Sequence, residues 1–182
     1  MAGLPHYNNS RAATQKFEPI QGNLFEVTIL PPQIDGTLLL EHVNTVGGLG
    51  GLNPAYDAVT QKYKFAERSY AGMPGKTSVD VTVQFSLNLN DTNQNYIYKT
   101  LRDWYKKIYD PATGAMGLKK DYVGTMIIVM YDRAGNIHRK INLLDVFPTG
   151  GVPFADGLDY GSQDPITLDM TFRSDNWTEE NN

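Results

Sequence analysis

Residues 79–89 alternate without a fault. Val79, Val81, Val83, Phe85, Leu87 and Leu89 hold one parity, and Asp80, Thr82, Gln84, Ser86 and Asn88 hold the other. A run with period two has one dry face and one wet face, which predicts a strand in a half-buried antiparallel sheet. The wet face is polar but nearly uncharged. Sheets that face bulk water usually carry more Lys and Glu, so Thr82, Gln84, Ser86 and Asn88 are candidates for a special surface. The plainer reading is an ordinary solvent face.

The same logic finds the other strands. Residues 24–30 place Phe25, Val27 and Ile29 against Glu26 and Thr28, and Pro31-Pro32 ends the run. Residues 38–46 read as a returning strand, and residues 61–70 as a further strand with Tyr63 and Phe65 opposite Lys62 and Lys64. Residues 123–131 (VGTMIIVMY) are apolar on both faces and belong at the centre of a sheet. Asp132-Arg133-Ala134-Gly135-Asn136 makes a hairpin turn, residues 137–146 return, and Phe147-Pro148-Thr149-Gly150-Gly151 breaks the chain. Residues 166–172 (ITLDMTF) alternate again, with Thr167, Asp169 and Thr171 on the polar side.

One helix is predicted, over residues 91–109. Asp91 and Gln94 form a weak capping box, and Ile97, Leu101, Trp104 and Ile108 make one apolar stripe. The opposite side shows Lys99, Arg102, Asp103 and Lys106. The sum is α+β and mainly β: two packed antiparallel sheets, or a partly closed β-barrel, flanked by one long helix. Residues 1–21 read as an N-terminal arm, 22–177 as one domain, and 178–182 as an acidic C-terminal tail.

Several functions are disfavoured. The chain has no cysteine, which removes disulfides, thiolate metal sites and cysteine nucleophiles. His6, His42 and His138 are scattered, and no HExxH or GxSxG is present, so no catalytic, metal or cofactor residue is assigned. No apolar run reaches the roughly 18 residues of a membrane span. The formal net charge of -4 argues against a protein that grips nucleic acid. The charge is uneven: residues 99–120 carry six basic side chains against two acidic, and residues 145–182 carry eight acidic against Arg173 alone. Opposed ends of this kind suit self-assembly, or two differently solvated surfaces.

Residues 46–56 read VGGLGGLNPAY. The glycines lack the order and the lysine of a phosphate loop. Their freedom suits a segment that bends tightly or shapes itself to a neighbour. Leu49, Leu52 and Tyr56 ride on that backbone. The reading is an arm within residues 46–60, made of Gly47, Gly48, Leu49, Gly50, Gly51, Leu52 and Tyr56, that packs on another subunit. A mobile loop is the alternative.

The order of pieces resembles the tail-tube proteins of contractile-tail bacteriophages of the T-even type, and the related tubes of contractile injection systems. The carrying residues are Gly22-Asn23-Leu24-Phe25-Glu26-Val27 after a polar arm, then Lys64-Phe65-Ala66-Glu67-Arg68-Ser69-Tyr70 before the alternating strand and a helix ending near Trp104. Leu144-Asp145-Val146-Phe147-Pro148-Thr149, Ile166-Thr167-Leu168-Asp169-Met170-Thr171-Phe172 and Trp177 complete them. The resemblance implies a non-enzymatic structural protein of the virion tail, assembled in the host cytoplasm. It implies stacked hexameric rings, with sheath, baseplate and tail-terminator proteins as partners, and double-stranded DNA passing through without specific binding. It also implies that residues 46–60 reach the adjacent ring and that Lys99, Arg102 and Lys106 face the sheath. It implies a lumen whose lining is either Thr82, Gln84, Ser86 and Asn88, or Thr167, Asp169 and Thr171. A tube initiator in the baseplate fits the same pattern. A small ligand- or nucleic-acid-binding barrel is the reading from another class.

Overall fold

The computed structural model of the chain describes residues 21–52, 56–73, 75, 77–88, 96–152, 160–161 and 164–181. Its elements in chain order are β1 (Phe25–Leu30), β2 (Val43–Gly47), β3 (Ala58–Lys62), β4 (Glu67–Ala71), β5 (Val79–Ser86) and α1 (Tyr96–Ile108). There follow β6 (Tyr109–Asp110), β7 (Ala115–Met116), α2 (Lys119–Tyr122), β8 (Gly124–Tyr131), β9 (Ile137–Thr149), β10 (Thr167–Ser174) and β11 (Asn176–Asn181). Seven strands form one antiparallel sheet in the order β1-β8-β9-β10-β5-β2, with β11 also on β9. β3–β4 and β6–β7 are separate hairpins.

The long strand β9 organises the sheet. Its first part pairs with β8 on one edge and β11 on the other, and its last residues pair with β10. The strand bends at Asp145, which has a positive φ of 54°. Aspartate is one of the few side chains that tolerate this region. β10 and β11 keep a single register along β9, with Arg173 opposite Phe147 and Asn176 opposite Leu144. The break between them at Ser174-Asp175 faces the bend. The buried Ser174 hydroxyl closes this corner: its Oγ lies 2.8 Å from the carbonyl oxygens of both Leu144 and Asn176.

The bend folds the sheet's apolar parity inward. Val27 and Ile29, Met126 and Ile128, Ile141 and Leu143, Met170 and Phe172, and Val81, Val83 and Phe85 are all buried in one core. α1 covers it with Ile97, Leu101 and Trp104 of the predicted stripe, while Ile108, its fourth member, is only half-buried. Trp104 lies 5.6 Å from Phe172, ring to ring, and its indole N–H donates to the Tyr122 carbonyl at 2.7 Å. Gly124 makes room for it, because a β-carbon there would press on the indole and on the Leu30 carbonyl.

The fold is mainly β with antiparallel sheets and helical cover, as the alternation predicts, and its seven-stranded sheet bends around the core without closing into a barrel. β1 and β2 end the strand order with no ladder between them among the described residues. Other differences are local. Residues 37–42 form a 3-10 turn where a strand was expected, so β2 begins only at Val43. The expected strand 61–70 is a hairpin, β3 turning through residues 63–66 into β4. β9 runs through Phe147-Pro148 instead of breaking there. The expected acidic tail is strand β11, held by Arg139–Glu179 and Lys140–Glu180 pairs. The capping residues Asp91 and Gln94 lie outside the described residues.

Candidate functional site

Two candidate surfaces come from these elements. The first is the outer face of β2, β5 and β10. Side chains of directly opposed residues in an antiparallel pair share a face. The register sets Thr82 opposite Thr171, Gln84 opposite Asp169, and Ser86 opposite Thr167. The two strand faces that the sequence offers as alternatives are therefore one surface. β2 extends it, with Thr45 opposite Gln84, and β9 adds Thr149 opposite Thr171. Asn88 lies beyond the end of β5 and its amide is 2.9 Å from His42 Nδ1. Ser86 donates to Asn44 at 2.9 Å.

The wall is almost neutral. Asp80 and Arg173, opposite each other at one end, form a bidentate pair with both N–H···O distances at 2.7 Å. That pairing holds the Asp80 carboxyl below its usual range, chiefly through the hydrogen bonds from Arg173. Asp169 has no ion pair among the described residues. Hydroxyls, amides, one neutralised pair and one carboxylate make a surface with little net charge.

The second surface is the glycine segment and the hairpin after it. Part of this segment is taken up by the chain's own core. Leu52 is completely buried in the core of its own subunit and Leu49 packs partly against it. Residues 49–52 form a 3-10 turn that plugs the sheet. Gly48 is required by its own chain: its φ is +83°, and a β-carbon there would overlap the Asp80 carbonyl oxygen. Gly47, Gly50 and Gly51 are exposed. The glycines thus seat Leu52, and the apolar side chains that face solvent belong to the hairpin β3–β4. Every residue from 56 to 71 is exposed. Tyr56, Val59, Tyr63, Phe65 and Tyr70 are large apolar groups in water, and Phe65 at the turn is 91% exposed. Sequence reasoning named Tyr56 but missed Phe65 and Tyr70 as surface groups. The signal was an aromatic run broken by Lys62, Lys64, Glu67 and Arg68.

The helix cations divide by role. Lys99, Arg102 and Lys106 are exposed on one side of α1, with Lys106 4.0 Å from Asp103. Lys107 points elsewhere and donates to the Pro32 carbonyl at 2.7 Å. At the sheet corner, Lys119 of α2 pairs with Asp175 and holds that carboxyl below its usual range. Tyr122 packs edge-on against Phe147 at 5.6 Å.

Among the described residues, no group of three His, Asp or Glu is placed to hold a metal ion. His138 is exposed and His6 lies outside the described residues. No helix among them is long and apolar enough to cross a membrane.

No protein-family model matches the chain, and no curated protein matches it by sequence. Solved structures do match its fold. A chain of the tube-terminating cap of the anti-feeding prophage superposes with a TM-score of 0.60 at 16% identity, covering 91% of this chain and 93% of that one. A chain of the sheath–tube complex of an extracellular contractile injection system, in its extended state, gives 0.57 at 18% identity, with 99% and 100% covered. A chain of the anti-feeding prophage baseplate gives 0.53 at 8% identity, with 91% and 97% covered. The chain has the fold found in these contractile-injection assemblies over nearly its whole length.

Proposed function

We propose that this protein is a structural, non-enzymatic subunit of the inner tube of a contractile tail or injection device, and that it works by stacking in rings. The observation that carries the reading is the hairpin β3–β4. A lone subunit leaves its aromatic side chains in water, on a body whose fold matches chains of tube assemblies. Exposed apolar groups rimmed by charge mark an interaction surface.

The rings are hexamers in this proposal, as the family resemblance implies. The hairpin, continuing the segment 46–60, reaches the adjoining ring. The face of Thr82, Gln84, Ser86, Thr167, Asp169 and Thr171 lines the bore. Such a lining offers no cationic array, so double-stranded DNA slides past without the counterion release that drives its binding. Lys99, Arg102 and Lys106 on α1 point outward, toward a sheath. The baseplate and the tube terminator bound the stack at its two ends.

The similarity to an injection-system chain and to a tube cap favours a second reading, in which the particle is an injection device and the subunit builds or closes its tube. Negative-stain imaging of concentrated protein tests both. Rings or hollow filaments are expected. A uniform monomer at all concentrations overturns the proposal, and caps that never extend favour the terminating role.

A further inference from the structure

The unpaired margins of the sheet leave a cleft. Between β1 and β2 lies a cavity of about 350 Å3. Phe25, Val27, Leu40 and Val43 give it apolar walls, and Asn23, Glu26 and Asn44 stand around them. Asn23, Glu26 and Asn44 are exposed, while Val27 is buried, so the polar groups form the rim. The Tyr131 hydroxyl donates to Glu26 Oε2 at 2.8 Å, which fixes the carboxylate.

The hairpin tip is the opposite of this cleft in shape and in charge. Phe65 projects, with the Lys64 ammonium 5.4 Å from its ring centre. Lys62, Lys64 and Arg68 outnumber Glu67. An exposed ring flanked by cations matches a cleft of mixed character, with apolar wall residues and a rim that carries the Glu26 carboxylate and two amides. Aromatic anchors in desolvated pockets are what dominate binding energy at interfaces.

We propose that Phe65 of one copy seats in the β1–β2 cleft of a second copy, with Lys62 and Lys64 facing Glu26. Knob and hole lie on different parts of the molecule, so the contact is heterologous and repeats from copy to copy. It closes the open seam of each sheet with a neighbour's side chain. The inference rests on the tube reading in placing the second copy in an adjoining ring, but the contact itself needs only two copies.

The absence of native cysteine makes the test direct. Protein carrying Ala66→Cys, which keeps Phe65, is mixed with protein carrying Asn44→Cys or Asn23→Cys and oxidised under assembly conditions. A mixed disulfide dimer is expected on a denaturing gel, well above either variant alone. Adding Phe65→Ser to the Ala66→Cys chain should lower its yield about tenfold or more, as loss of an interface anchor does. Circular dichroism should not change, because Phe65 is exposed. The same samples are imaged for filaments. Filaments without a cross-link at either rim position overturn the docking and leave the tube reading standing. A cross-link without filaments supports the docking and overturns the tube reading. Neither one overturns both.

Discussion

Arg173 holds Asp80 with two arms of its guanidinium, each nitrogen 2.7 Å from a different carboxylate oxygen, across the β10–β5 ladder. The pair stands at one end of a polar wall whose remaining charge, among the described residues, is the Asp169 carboxylate. About half of each side chain is exposed, so solvent screens it and its effect on stability is small. Its pH dependence has a definite sign. The folded-state pKa of Asp80 is lowered from 3.8, so the stabilisation is whole above that value and is lost as pH falls through the lower folded one. Asp80→Asn should therefore lower the Tm slightly at pH 7, and the gap from wild type should close in acid. Thermal melts between neutral pH and strong acid read this, and a gap that widens on acidification contradicts it.

The corner at Ser174 predicts a larger effect. Its buried hydroxyl serves the Leu144 and Asn176 carbonyls where β9 bends and β10 passes into β11. Ser174→Ala removes this hydrogen bonding from a part-buried corner, which costs about 0.5–1.5 kcal/mol. Urea unfolding should show a lower midpoint with an unchanged slope. A variant as stable as wild type would mean that water replaces the hydroxyl.

How much of this was legible in the sequence depends on burial. The alternation at residues 79–86 reads true because Val79, Val81, Val83 and Phe85 all meet the core. The stripe Ile97, Leu101 and Trp104 reads true for the same reason. β3 and β4 have no buried face, so their parity carries no message, and the Tyr63–Phe65 alternation falls in the turn between them. β11 is polar because it is an edge strand held partly by ion pairs. Pro148 signals a break, yet it sits past Val146, the last residue matched to β8, where one edge of the strand is unclaimed. The wall was visible as two separate faces. Only the register makes them one, and pairing between strands 80 residues apart is not written in either strand.

The glycine pair Gly48 and Gly50 separates packing from looseness. Gly48→Ala meets both a positive φ and the Asp80 carbonyl, whereas a β-carbon at Gly50 meets nothing. Gly48→Ala should destabilise by more than about 1 kcal/mol, and Gly50→Ala should be neutral or slightly stabilising. Chemical denaturation of both variants checks the order, and equal effects would refute the packing role of Gly48.

The proposed direction of the polar wall is open to chemical test before and after assembly. Thr82→Cys and Lys106→Cys each place a single thiol, one on the wall and one on the exposed side of α1. Before assembly both should react with a maleimide attached to a bulky polymer. After assembly the thiol at position 82 should be shielded and that at 106 should stay reactive until a sheath is added. The reverse pattern would put the helix toward the bore.

The last prediction separates the two parts of the segment that the sequence treated as one arm. Leu52 is buried and Phe65 is exposed. Leu52→Ala opens a cavity under the 3-10 turn and should cost about 2–5 kcal/mol. Below its Tm the folded protein should still stack, because the side chain lost never faced a neighbour. Phe65→Ser should do the converse: an unchanged melting curve, with pelletable filaments lost. Sedimentation and melting of both variants, measured side by side, give the comparison. If Leu52→Ala blocks stacking while its fold remains intact, the turn at 49–52 is itself part of the joint and the hairpin does not act alone.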